Sequence, residues 1–160
     1  MIDVSVDTSQ FELAQGRLAD DLLVQAAKTA LQARSIEQAE ISVALLGDED
    51  IRELNARHLG HDWVTDVISF ALWQPGDPVV VGDIYIGAGQ AERQALDEGV
   101  LLEEELVRLV VHGTLHVTGM DHPDDAEARA GSPMYVLQES IVAKICREEA
   151  IPAPEGGHGT

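Results

Sequence analysis

One cysteine, Cys146, stands among 160 residues; this excludes an intrachain disulfide framework and fits a reducing cytoplasm. No window reaches the ~18 consecutive apolar residues of a membrane-spanning helix. The opening stretch MIDVSVDTSQ lacks the basic start and apolar run of a secretory leader. Cations are scarce as well: 10 Lys and Arg stand against 29 Asp and Glu, a formal net charge of −19. That balance bears on long-range field and solubility rather than on fold. It argues against a generic nucleic-acid coat and against a binder of anionic membranes. No internal repeat and no long linker interrupts the chain, and the expected location is the cytoplasm.

What is present suits one globular unit. A hydrophobic content of 45% is ordinary, and a chain of this length buries roughly 68–70% of its unfolded surface. Residues 1–150 are expected to form a single domain and 151–160 a disordered tail, because APEGGHGT has no large apolar residue to dock; His158 falls in that tail.

Period-2 and period-3.6 segments alternate. DVSV reads as a strand, and Arg17 to Arg34 as a helix whose apolar stripe includes Leu18, Leu22, Leu23, Ala26, Ala27, Ala30 and Leu31. ISVALL reads as a buried strand, followed by a helix with Asp48 as its N-cap that ends near His58. DVISFAL and VVGDIYIG are two further strands, antiparallel neighbours across the loop WQPGDP. Helices from about Gly89 to Asp97, Leu102 to Val117 and Pro133 to Glu148 complete an α/β domain: a mixed four-stranded sheet with helices packed against it.

The stretch HGTLHVTGMDH, residues 112 to 122, holds three of the six histidines. His112 and His116 are four apart on a predicted helix, so their side chains share one face about 6 Å apart along the axis. Gly119 tolerates the positive φ at which a helix ends and reverses, which returns His122 toward the same point. Three neutral imidazoles suit zinc, one ion per chain. The spacing matches the metzincin pattern H-E-x-x-H-x-x-G-x-x-H, except that Gly113 replaces the glutamate that serves as general base. Zinc held by His112, His116 and His122 could strongly acidify a bound water or polarise a substrate oxygen. Asp121, beside a ligand, is the nearest carboxylate for orienting that ligand or handling a proton; a helix-end cap is the plainer role.

HGTLHVTGMDH resembles the H-G-x-L-H-x-x-G-x-D-H signature of the YbeY-type endoribonucleases. TDVISF (Thr65 to Phe70) is similar to that family's T-D-V-L-S-F strand, GDIYI (Gly82 to Ile86) to its G-D-I-x-I strand, and Leu54–Asn55 stands eleven residues ahead of Thr65–Asp66. The resemblance spans roughly residues 40 to 145, in order. It implies a zinc-dependent, single-strand-specific endoribonuclease acting in ribosomal RNA processing, notably at the small-subunit 3′ end, and in ribosome quality control. The implied partners are single-stranded RNA, including rRNA, and the ribosome or a ribosomal protein; neither DNA nor membrane is expected.

Two departures mark this chain. The family often reads L-N-x-x-Y-R, its arginine serving RNA binding or cleavage; here those last two positions are His58 and Leu59. Arg57, the nearest arginine, is the candidate for that catalytic role, although two helical residues are a rotation of about 200°. Met120 stands where the family often has Tyr. The Arg52 to His61 stretch gathers Arg52, Arg57, His58 and His61, and is the candidate RNA-facing rim on an otherwise acidic body. Two other readings stay open: a metallopeptidase, favoured by spacing and opposed by Gly113, and a ribosome-associated factor whose zinc is structural.

Overall fold

In the computed structural model, which describes residues 1–10 and 20–151, the chain runs β1 (Ile2–Asp7), α1 (Asp20–Ala33), β2 (Ala39–Leu46), α2 (Asp48–Leu59), β3 (Val67–Ala71), β4 (Val80–Gly87), α3 (Ala88–Glu98), α4 (Leu102–Val117), α5 (Ala126–Ala130) and α6 (Pro133–Glu148). The expected Arg17 and Leu18 of the first helix, and the tail from 152 to 160 with His158, lie outside the described residues. The mixed α/β architecture is as the sequence predicts. Strand order is β1-β2-β4-β3, with β1, β2 and β4 parallel and β3 antiparallel to β4.

Alternation sets the register. In β2, Ala39, Ile41, Val43 and Leu45 are buried while their neighbours are more exposed, and β1 pairs Val4 with Ile41 and Val6 with Val43. A slip of one residue would turn the buried set to the solvent face. In α1 the inward stripe is Leu23, Ala26, Ala27, Ala30 and Leu31.

Two local expectations change. Asp48 does not cap α2: Gly47 is the N-cap, in extended conformation, and Asp48 opens the helix itself. The Asp48 carboxylate instead accepts from the two terminal guanidinium nitrogens of Arg93 on α3, at 3.0 and 3.2 Å. It still favours the helix start, because Asp48, Glu49 and Asp50 place negative charge at the positive end of the helix dipole. The second change is an addition, the single turn α5, closed where the Asp125 side chain accepts from the Ala128 amide.

Helix α4 positions the site. It packs against α1, α3, α6, β3 and β4, and Leu106, Val107, Val110, Val111, Leu115 and Val117 are wholly buried, each worth about 1.5–3 kcal/mol for the larger side chains. A helix apolar over most of its circumference belongs inside a protein. One line interrupts it: Glu104, Arg108, His112 and His116 recur at every fourth residue and so share a face.

Candidate metal centre

The end of α4 brings the three histidines together. Gly119 takes φ 105°, and the amides of Gly119 and Met120 donate to the carbonyls of His116 and Leu115 at 2.9 and 3.1 Å, which reverses the chain. His122 then returns to the helix: its ring centroid lies 5.2 Å from that of His112 and 4.9 Å from that of His116, themselves 4.6 Å apart. One potential ligand atom from each histidine lies within 4.8 Å of the other two.

Each imidazole is held by its other nitrogen. His112 Nδ1 is 2.7 Å from Gln138 Oε1, His116 Nδ1 is 3.0 Å from the Met120 carbonyl, and His122 Nδ1 is 3.0 Å from the Pro123 carbonyl. Those oxygens can only accept, so each Nδ1 carries the proton and donates it. In the neutral ring that tautomer leaves Nε2 with its lone pair, the form a metal takes. Burial pushes His112 and His116 below the ordinary histidine range. Their hydrogen bonds oppose that shift, and the neighbouring imidazoles reinforce it. Three imidazoles whose ligand atoms converge on one point fit a divalent ion with an affinity for nitrogen. Among the described residues no further His, Cys, Asp or Glu joins the cluster, so a three-histidine site keeps coordination positions open.

The histidines border an open groove of about 380 Å³ lined by Leu59, Val67, Ile68, Ser69 and Ala71 together with His112 and His116. Leu59, at the last turn of α2 and half exposed, therefore faces the site. Arg57 does not line it: its guanidinium donates to Glu53 at 2.7 Å, one turn back on the exposed face of α2. Arg52 is likewise engaged, with Asp62 at 2.9 Å and Glu49 at 3.7 Å. The Asp121 carboxylate accepts from the His122 amide at 2.8 Å, which fixes the backbone beside the third histidine.

Gly113 has a packing reason. A Cβ there would stand 2.8 Å from Cγ2 of Ile84 on β4, so the position that carries a peptidase's glutamate points into the sheet. The substitution Gly113→Glu is expected to cost more than about 3 kcal/mol, since it forces a carboxylate into a packed apolar contact. Urea unfolding checks this, and a stable, peptide-cleaving Gly113→Glu protein would contradict it.

Residue-by-residue reading of the sequence missed Gln138, Glu139 and Arg108. Gln138 is buried on α6, and its amide nitrogen donates to Glu139 at 3.0 Å. Glu139 in turn receives two contacts of 2.9 Å from Arg108. Arg108 also reaches Glu104 and Glu105, at 3.0 and 3.3 Å, and Glu105 accepts from Gln94 at 2.8 Å. Burial pushes the Glu105 carboxyl up against the effect of its donors. Burial opposes the charge of Glu139 too, yet the Arg108 and Gln138 donors outweigh it and hold that carboxyl below its usual range. The four-residue spacing from Glu104 to His116 was the available signal for Arg108; nothing local announced Gln138.

The fold and the cluster define an α/β protein with an open three-histidine site, the arrangement of a metal-assisted hydrolase. The chain belongs to the endoribonuclease YbeY family, whose family model matches residues 3–146; its class is that of nucleases acting on RNA. It is similar to the endoribonuclease YbeY of Shouchella clausii, 41% identical, covering 89% of this chain and 94% of that protein. It is also similar to that of Aquifex aeolicus, 38% identical, covering 85% and 90%. A solution structure of a Thermotoga maritima protein superposes with TM-score 0.62 at 25% identity, over 94% of this chain and 92% of the other.

Proposed function

We propose that this protein is a zinc-dependent, single-strand-specific endoribonuclease of ribosomal RNA maturation, notably of the small-subunit 3′ end, and of ribosome quality control. It works in the cytoplasm with the ribosome or one of its proteins as partner, and residues 1–150 form the catalytic domain. The observation that carries this reading is the convergence of three imidazoles, each tied through Nδ1, at the edge of an open groove in a chain of the YbeY family. No helix among the described residues is long and apolar enough to cross a membrane.

In this reading His112, His116 and His122 would hold one zinc, which would supply Lewis acidity for a phosphodiester oxygen. Asp121 keeps His122 in place through its amide and is the carboxylate that would move a proton. Arg57 and Arg52 serve the rim: their partners are exposed carboxylates, and exposed pairs are worth only about 0–1 kcal/mol, so RNA phosphates can replace them. The rim also carries Trp63, 57% exposed and stacked on His61 at 4.5 Å. An aromatic face of that kind accepts an unpaired base and not one already stacked in a duplex.

The purified chain is expected to contain about one zinc and to cut single-stranded RNA faster than duplex RNA, to lose that activity to a chelator, and to leave peptides intact. Element analysis with parallel RNA and peptide assays checks all four. Zinc-dependent peptide hydrolysis without RNA cleavage would promote the metallopeptidase, and a chain that stays fully active after zinc removal would refute the reading.

A further inference from the structure

The polar line along α4 continues into the groups behind His112, and its chemistry has a direction. A carboxylate can only accept, so Glu139, clamped by Arg108, requires the NH2 end of the Gln138 amide. The amide oxygen is thereby turned toward His112, 2.7 Å away. An oxygen there requires a proton on Nδ1, which leaves the lone pair on Nε2, facing the other two histidines. Were the amide reversed, its NH2 would face Nδ1 and favour the tautomer with the proton on Nε2, where it would block a ligand position.

We propose that Gln138 is a positioning residue for the metal site, its amide oriented by the Glu139–Arg108 pair so that His112 presents an unprotonated Nε2. His116 and His122 take the same orientation from main-chain carbonyls in their own loop. Only His112 depends on a side chain from another helix, 26 residues further along the chain. The site is therefore complete only when α6 is docked on α4, where the buried Gln138 meets His112. Assembly of the metal centre is thus coupled to the packing of the last helix. This inference rests on the reading of the histidines as metal ligands.

The test uses the full-length chain with Gln138→Met, which keeps most of the side-chain volume and removes the amide oxygen, and Gln138→Glu, which keeps an acceptor. Zinc affinity is measured by chelator competition, fold by thermal unfolding, and the His112 Nδ1 proton by its slowly exchanging ¹H–¹⁵N signal. Gln138→Met is expected to bind zinc 10- to 100-fold more weakly than wild type and to lose the protected Nδ1–H signal while remaining folded. Gln138→Glu is expected to keep the signal and to hold zinc within about threefold of wild type. A Gln138→Met protein with the signal intact and wild-type affinity would overturn the proposal. If Gln138→Met does not fold, a folded Gln138→Glu that loses both signal and affinity overturns it equally. If wild type takes up no zinc, the metal reading itself fails, whereas the wild-type Nδ1–H signal still reports whether Gln138 sets the tautomer.

Discussion

Replacing His116 with alanine is expected to strip most of the zinc and to lower RNA cleavage by at least about a thousandfold, the effect of losing several kcal/mol of charge stabilisation at the phosphate. Two imidazoles would remain, neither of them able to make a third bond. The fold should survive. His116 is only partly buried, and its removal frees the Met120 carbonyl from one hydrogen bond, a loss of about 0.5–1.5 kcal/mol. The apolar face of α4 is untouched, since Leu115 and Val117 flank the site on the core side. The measurements are zinc content, single-turnover cleavage and thermal unfolding on the same preparation. A folded variant that keeps its full complement of zinc would refute the ligand assignment. One that loses zinc but keeps its activity would refute the role of the metal.

The second large effect is a gain. Leu59→Arg is expected to raise cleavage of single-stranded RNA by roughly tenfold to a hundredfold, with zinc affinity unchanged. Leu59 borders the groove with His112 and His116 and is 49% exposed, so a guanidinium there does not enter the core. A cation in the last turn of α2 also suits the negative end of the helix dipole. Charge-assisted contact with an anionic phosphate is worth about 1.5–3 kcal/mol, which gives the stated range. The companion variant, Arg57→Ala, should change turnover far less than the loss of a histidine does, because Arg57 lies against Glu53 on the exposed face of α2. An inactive but zinc-loaded Arg57→Ala, together with an unimproved Leu59→Arg, would show that Arg57 acts at the scissile phosphate rather than at the rim.

The histidine cluster was legible because its geometry is local. His112 and His116 are related by one helical turn, and a single residue of positive φ, Gly119, returns the chain to them. No distant part of the chain has to be placed for the three rings to meet. Strand alternation likewise made the sheet legible, since β2 declares its buried face at every second residue. Asp48 was misread for the opposite reason. A capping residue and a salt-bridge partner look alike in sequence, and the competing cation, Arg93, is 45 residues away.

By itself, then, the order of residues determined the convergence of the three histidines, the alternation of the α/β elements and the rotation of about 200° that separates Arg57 from Leu59. Only the tertiary structure decided that Leu59 faces a groove rather than the core, that Gly113 is required by Ile84 of β4, and that Gln138 stands behind His112. Each of these depends on which helix or strand comes to lie against α4 or β3. That choice is made by burying apolar surface over the whole molecule, a non-directional force that fixes neighbours without leaving a motif at any one of them.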